Sequence, residues 1–313
     1  MYFYLISAIF LGWALGANDS ANCFGTAVAT RVLKYKQAVI ITAILVVAGA
    51  FMEGAAGMEK LGTYAALNGV ATGHEAFLVM TAAAVTVGSL TFFKIPISTS
   101  QAVIGAIIGS GIAGGRFAVR ETFPFFGAWF ATPLGAMAIG YIMYSLMSKH
   151  VQKRINNIEL FDRFVKTGFI ISGAFSSYAL GANNVANITA LFVGRLDLFD
   201  ASQAVVLGGA SIAFGVLTHS RPVMMTVGKG IVPLEPVSGF ISVLSAGLVV
   251  YFYAQVGIPV STSQAIVGAV FGIGLVKGIQ TVNLKIIRNI VLAWFGTPSI
   301  AGLVSFLLLK IAG

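Results

Sequence analysis

The segment PISTSQAVIGAIIG at Pro96–Gly109 returns as PVSTSQAIVGAVFG at Pro259–Gly272, and this repeat decides how we expect the chain to fold. Each copy is typical of a helix start, because a proline interrupts the preceding segment, Ser98 or Ser261 can cap, and an apolar run follows. The first N–H groups of a helix lack intrahelical partners and carry the positive end of its dipole. Two such starts facing one another would bind an oxyanion, whereas one copy alone would be read equally well as a polar cap.

The composition is that of an integral membrane protein. Hydrophobic residues make up 58% of the chain, charged residues 9%, and the mean hydropathy is +0.93. Soluble domains carry roughly 25% charged residues. All-α structure is therefore predicted, with about ten membrane segments of roughly 20 residues, some of them broken or re-entrant. These segments are predicted at 1–29, 37–57, 75–95, 96–115, 123–147, 167–192, 201–219, 237–257, 259–276 and 286–311.

Two further motifs recur and indicate a duplicated chain. GANDSAN at Gly16–Asn22 returns as GANNVAN at Gly181–Asn187, and WFATP at Trp129–Pro133 returns as WFGTP at Trp294–Pro298. All second copies follow the first at an offset of 163 to 165 residues. A fixed internal period of this kind predicts two homologous units. We expect a first transmembrane repeat at 1–148, a polar linker at 149–166 and a second repeat at 167–313.

The repeats are expected to have inverted topology, since five crossings per half place the N-terminus and the linker on opposite sides. With the linker in the cytoplasm, fourteen of the 19 Lys and Arg residues fall on the inner side, in accord with the positive-inside rule. Both termini are then external, in a multi-pass protein of the plasma membrane. Inverted repeats with polar, broken segments are typical of secondary transporters, whose substrate site lies at the repeat interface.

The paired GAN turns are candidate cation ligands. Asp19 lies inside an apolar segment, where an ionised carboxylate is expensive and indicates function. Carboxylate and amide oxygens suit a hard cation such as Na⁺. The asparagines alone could equally be hydrogen-bonding contacts between helices. Glu53 is a second intramembrane carboxylate, and either cation binding or pairing with polar neighbours would explain it equally well.

These motifs resemble the inorganic phosphate transporter (PiT) family of cation-coupled phosphate symporters, and the resemblance covers nearly the whole chain. It includes the stretch Phe51-Met52-Glu53-Gly54 as well as the duplicated motifs. The resemblance implies a homodimer of inverted repeats that transports phosphate with Na⁺ or H⁺. Implied phosphate-site positions are Ser98, Thr99, Ser100, Gln101, Ser261, Thr262, Ser263 and Gln264. Implied cation-site positions are Asp19, Asn22, Asn183 and Asn187, with Glu53 and Asn184 as further candidates.

The chain departs from the family pattern at the second turn. The family commonly has Asp in both turns, but Asn184 stands in the second one here. Glu53 also lacks a counterpart, because Thr218 occupies the equivalent position. One fixed negative charge is therefore missing, which leaves the number and identity of the coupled cations open.

The charge distribution favours symport. The oxygen-only ligands favour Na⁺ over H⁺ as the coupled cation, and alternating access is the expected mechanism. Neither the STSQA segments nor the GAN turns contain Lys or Arg, and helix dipoles supply only about half a positive charge each. Co-bound cations would balance the remaining phosphate charge. A sulfate or other oxyanion permease is the alternative, and an uncoupled anion channel is a weaker one. No HExxH or GxSxG motif indicates an enzyme, no cofactor is expected, and topology explains the net charge of +9 without nucleic-acid binding.

Overall fold

The computed structural model describes residues 2–92, 97–154, 157–195, 199–230, 235–278 and 284–312, with side chains described except at 149–154, 226–230, 284–291 and 293. A short 3-10 helix at Tyr2–Tyr4 precedes twelve α-helices in these residues, and they contain no strand. The helices are α1 Leu5–Asp19, α2 Ala21–Ala29, α3 Tyr35–Glu53, α4 Ala55–Leu67, α5 Gly73–Phe92, α6 Thr99–Ala113, α7 Val119–Arg154, α8 Ile158–Thr189, α9 Ala201–Gly230, α10 Pro236–Val256, α11 Thr262–Lys277 and α12 Leu284–Ala312.

The chain is an α-helical, multi-pass membrane protein. Within the described residues, six helices are long and apolar enough to cross a bilayer, at Tyr35–Glu53, Gly73–Phe92, Val119–Ser148, Ala201–Met225, Pro236–Val256 and Trp294–Ala312. Helices α6 and α11 have 15 and 16 residues. At 1.5 Å per residue they are only about 22–24 Å long, less than the roughly 30 Å of a hydrocarbon core.

Two predicted segments are interrupted. The first is divided at Ser20 into α1 and α2. The second ends at Glu53, and a separate helix α4 follows after Gly54, which the hydropathy pattern did not indicate. A Cβ atom at residue 54 would overlap the Val185 side chain on α8, so the break lies where two helices approach closely. Most of the predicted linker is helical, since α7 continues to Arg154 and α8 begins at Ile158, while 155–156 lie outside the described residues.

Helices α10 and α11 form a hairpin whose base is tied by charged and polar contacts. The Lys277 ammonium lies 3.1 Å from the Glu235 carboxylate and donates to Ser238 Oγ at 2.9 Å. Tyr144, near the end of α7, donates to the same Glu235 carboxylate at 3.5 Å. The base of this hairpin therefore lies beside the C-terminal part of α7.

Helices α5 and α6 form a second hairpin, whose base lies beside the other end of α7. Asn68, just before α5, accepts from Ser110 Oγ at the end of α6 and from the Ala118 backbone N–H at the start of α7. Because α7 has 36 residues, its two ends are about 54 Å apart. The hairpins thus approach the middle of the molecule from opposite ends of α7.

Each hairpin packs against the long helix of the other half. A Cβ atom on Gly105 of α6 would overlap the Pro298 backbone of α12, and one on Gly268 of α11 would overlap the Pro133 carbonyl of α7. Only glycine permits such close contact between helix backbones. This crossed packing holds the starts of α6 and α11 together in the centre.

Candidate functional site

Both duplicated helix starts have the capping geometry expected from their sequences. Ser98 Oγ accepts from the Gln101 backbone N–H, and Ser261 Oγ accepts from the Gln264 N–H, each at 3.2 Å. Both serines have extended backbone conformations, while helix begins at the following threonine. Pro96, which opens the first motif, lies outside the described residues. The predicted pair of helix N-termini is therefore present.

The two helix starts meet tip to tip. Ser100 Oγ donates to the Val260 carbonyl at 3.0 Å, and Ser263 Oγ donates to the Ile97 carbonyl at 3.1 Å. Each hydroxyl thus reaches across to the loop that precedes the other helix. The reciprocal pair brings two positive dipole ends into one small, buried volume.

Asparagines from the two GAN turns connect to these helix starts across the molecule. Asn22 Nδ2 donates to Thr262 Oγ1 at 3.0 Å and to Ser263 Oγ at 3.2 Å. Asn187 Nδ2 donates to Ser100 Oγ at 2.8 Å. The turn of the first half therefore holds the helix start of the second half, and the turn of the second half holds the helix start of the first.

Two further asparagines hold the segments that flank the helix starts. Asn183 pairs twice with the Val260 backbone, donating to its carbonyl at 2.9 Å and accepting from its N–H at 3.0 Å. Asn18 donates to Thr91 Oγ1 at 3.1 Å. Asn183 is thus a backbone-positioning residue for the second tip, although its turn was predicted to bind a cation.

The two GAN motifs and the two helix starts contain buried oxygen atoms without a hydrogen-bond partner in the described residues. The predicted phosphate-site side chains are between 1% and 8% exposed, and Asp19 is 3% exposed. Buried polar groups are normally paired, so a local group of unpaired ones requires an explanation. The oxygens concerned here are Asp19 Oδ1, Ser20 Oγ, Thr99 Oγ1, Gln101 Oε1, Asn187 Oδ1 and Gln264 Oε1.

These unpaired oxygens fall into two chemical classes, hydroxyl oxygens and carboxylate or amide oxygens. The hydroxyls of Ser20 and Thr99 can donate to an anion, whereas the carboxylate and amide oxygens can only accept. Acceptors of the second kind suit a hard cation or a protonated oxyanion. None of the hydrogen bonds described for this cluster involves Lys or Arg. Within the described residues, no three His, Cys, Asp or Glu side chains lie together where they could hold a metal ion. The site thus combines uncharged hydrogen-bond donors with oxygen acceptors.

Both GAN motifs were predicted to break a helix, but only the first does so, at Ser20, whereas the second is continuous helix within α8. Asp19 and Asn184 lie at equivalent positions of the two motifs but have different surroundings. Asp19 ends α1 and interacts with the side chain of Thr262. Asn184 lies within α8, and both its side-chain polar atoms are hydrogen bonded. Asp19 is therefore the member of this pair that carries a carboxyl group.

Glu53 makes hydrogen bonds with Tyr178 and Gln255 and not with the two helix starts. Its carboxylate accepts from Tyr178 Oη at 3.3 Å and from Gln255 Nε2 at 3.1 Å. Gln255 lies near the end of α10, so Glu53 contacts the last turn of that helix. These bonds match the alternative in which Glu53 pairs with polar neighbours.

Two features of the site were not predicted from the sequence. Ser20 follows Asp19 directly and carries one of the unpaired hydroxyls, and only its position in the break of the first segment could have indicated it. Gln101 and Gln264 also line a cavity of about 470 Å³, together with Trp129 and Trp294. The recurrence of WFATP and WFGTP at the repeat offset was the available signal for that cavity.

Comparison with known proteins identifies relatives over nearly the full length of the chain. The model of the phosphate transporter family matches residues 15–305. A protein from Methanocaldococcus jannaschii named "Putative phosphate permease" is 31% identical over 308 residues, covering 97% of this chain and 95% of the relative. One of the same description from Pyrococcus furiosus is 28% identical, covering 98% and 95%. A solved structure titled "The sodium-dependent phosphate transporter" has the same fold, with a TM-score of 0.84 at 21% identity, covering 98% of this chain and 97% of that one.

Proposed function

Because the chain belongs to the phosphate transporter family, we propose that it imports inorganic phosphate together with a cation, Na⁺ in preference to H⁺, by alternating access. The observation that supports this most strongly is the tip-to-tip meeting of two helix N-termini among buried, unpaired oxygens. A membrane transporter must replace the water that surrounds its anion with hydrogen bonds from the protein. This cluster combines groups that can donate to an anion with groups that can bind a cation.

The phosphate site is proposed at the starts of α6 and α11. Free N–H groups and hydroxyls at both starts can donate to phosphate oxygens, and the two dipoles together supply about one positive charge. The Thr99 hydroxyl is the best-placed single donor, since it is 1% exposed and has no partner among the described residues. The amide oxygens of Gln101 and Gln264 are available to accept from a protonated phosphate.

The cation site is proposed around Asp19. A buried carboxylate is costly unless a positive charge accompanies it. Asp19 Oδ1 and Asn187 Oδ1 are both unpaired, so a cation between the turns would satisfy acceptors that the protein leaves open. The cation would also lower the cost of holding phosphate nearby, which couples the two binding events. The solved structure with the same fold is of a transporter described as sodium-dependent, and this supports Na⁺ as the first ion to test.

The architecture proposed for this mechanism has two inverted repeats, at 1–148 and 167–313, joined by a cytoplasmic linker at 149–166. About ten membrane segments, external termini and a homodimeric assembly in the plasma membrane complete the proposal. The hairpins that approach from opposite ends of α7 support inversion, because equivalent elements of an inverted pair must point in opposite directions.

The proposal can be tested in proteoliposomes loaded with purified protein. Uptake of radiolabelled phosphate is measured with a Na⁺ gradient alone, a pH gradient alone and neither gradient, and with sulfate as competitor. We expect accumulation against the phosphate gradient only when Na⁺ is higher outside. Flux that merely follows the phosphate gradient indicates a channel, and equal competition by sulfate indicates a general oxyanion permease.

A further inference from the structure

The two GAN turns have equivalent sequences but different hydrogen bonds. Residue 19 in the first turn and residue 184 in the second are related by the repeat, as are Asn22 and Asn187. In a perfectly symmetric site, each pair would have the same partners. The two motifs differ at two positions, Asp19 against Asn184 and Ser20 against Val185, and only the first of these differences changes the charge.

In the second half, the side chain at 184 is fully engaged within its own helix. Asn184 Nδ2 donates to the Leu180 carbonyl at 3.1 Å, and Asn184 Oδ1 accepts from Asn187 Nδ2 at 2.9 Å. The residue is 1% exposed. An amide with one donor and one acceptor bond in place has little reason to attract an ion, because its polarity is already satisfied.

In the first half, the equivalent bond is not made. Asn22 Nδ2 donates to Thr262 and Ser263 on the facing helix start, and its hydrogen bonds do not include Asp19. Asp19 interacts with the side chain of Thr262, while its Oδ1 has no partner among the described residues. Asp19 Oδ1 is thus unpaired, whereas Asn184 Oδ1 at the equivalent position accepts an N–H.

The electrostatic consequence follows from the charge of the two side chains. A carboxylate buried to 3% exposure needs a positive charge nearby, whereas a paired neutral amide does not. The Asn187 N–H group supplies in the second half the partial positive charge that a cation would supply beside Asp19. An N–H group stays with the protein, but a cation can travel with the substrate.

From this asymmetry we infer that residue 184 sets how many cations accompany each phosphate: the Asn184–Asn187 hydrogen bond replaces a carboxylate-bound cation in the second half, so only the first half holds one. The inference rests on the proposed symport. It assigns to Asn184 a role in stoichiometry and not in phosphate recognition.

The test compares wild-type protein with Asn184→Asp, which adds one carboxylate at an equivalent position. Net charge per phosphate is obtained in proteoliposomes from the potassium–valinomycin potential at which net flux of labelled phosphate stops, under fixed cation and phosphate gradients. We expect Asn184→Asp to carry one more positive charge per phosphate than wild type. Asn184→Ser is the matched control, because it breaks the bond to Asn187 without adding charge, and its charge ratio should equal that of wild type.

A second measurement applies if Asn184→Asp folds but transports phosphate too slowly for its flux to be measured. Radiolabelled Na⁺ bound per protomer is counted by equilibrium dialysis at saturating Na⁺ and phosphate, where Asn184→Asp should hold one more ion than wild type and Asn184→Ser the same number. An unchanged count, or an unchanged charge ratio in an active Asn184→Asp protein, overturns the inference. A wild-type protein whose phosphate flux ignores cation gradients refutes the proposed symport instead, and the comparison of bound Na⁺ still decides the role of residue 184.

Discussion

Replacement of Thr99 by Val is the most direct test of the anion site. The two side chains have nearly the same shape, so the change removes one hydroxyl and little else. Thr99 Oγ1 is buried and has no partner among the described residues. If its role is to donate to phosphate, the loss should affect binding and leave folding intact.

The expected size follows from that environment. A hydrogen bond to a charged group contributes about 1.5–3 kcal/mol, and 1.4 kcal/mol is tenfold in affinity. Phosphate affinity should therefore fall by about 10- to 150-fold in Thr99→Val. Without phosphate, stability should be unchanged or slightly higher, because an unsatisfied buried polar group is removed.

Two matched variants sharpen the result. Thr86→Val removes a buried hydroxyl whose bond is to the Ala82 carbonyl of its own helix, so phosphate affinity should not change. Thr262→Val removes an acceptor of Asn22, so stability without ligand should fall together with affinity. Binding is measured by isothermal titration calorimetry, and stability by thermal unfolding with and without phosphate. Wild-type phosphate affinity in Thr99→Val would refute the assignment of the anion site.

Other predictions concern coupling, topology and packing. Asp19→Asn keeps size while removing charge, so phosphate uptake should lose its dependence on the cation gradient or vanish; unchanged dependence and rate would exclude Asp19 from coupling. Glu53→Gln should alter that dependence far less, measured in the same uptake assay. A cysteine at Gln152, in a Cys23→Ala background, should resist impermeant maleimide added to intact cells, and labelling from outside would contradict a cytoplasmic linker. Gly268→Leu would drive a side chain into the α7 backbone and should lower the melting temperature by several degrees, whereas wild-type stability would contradict the crossed packing.

Several elements were predictable because their signals are local. The helix starts after Ser98 and Ser261 follow from residues within one turn, and the caps have the expected partners. The membrane class follows from composition, and the burial of the Asp19 carboxyl group follows from its position in an apolar segment, while its role in cation binding stays a prediction. The separate helix α4 was missed, because hydropathy windows do not detect a break that close approach to α8 produces.

Tertiary structure alone decided how the predicted residues are joined. Ser100 and Val260 are 160 residues apart in sequence and make a hydrogen bond of 3.0 Å. A repeat in the sequence does not predict whether two equivalent helix starts contact each other. The sequence also marked Asp19 and Asn184 as an unequal pair. Only the structure shows that Asp19 Oδ1 is unpaired while the Asn184 amide is hydrogen bonded. The physical reason is range. Hydropathy and capping act over a few residues, whereas the partner of a buried polar atom is selected by the packing of helices that are distant in the chain.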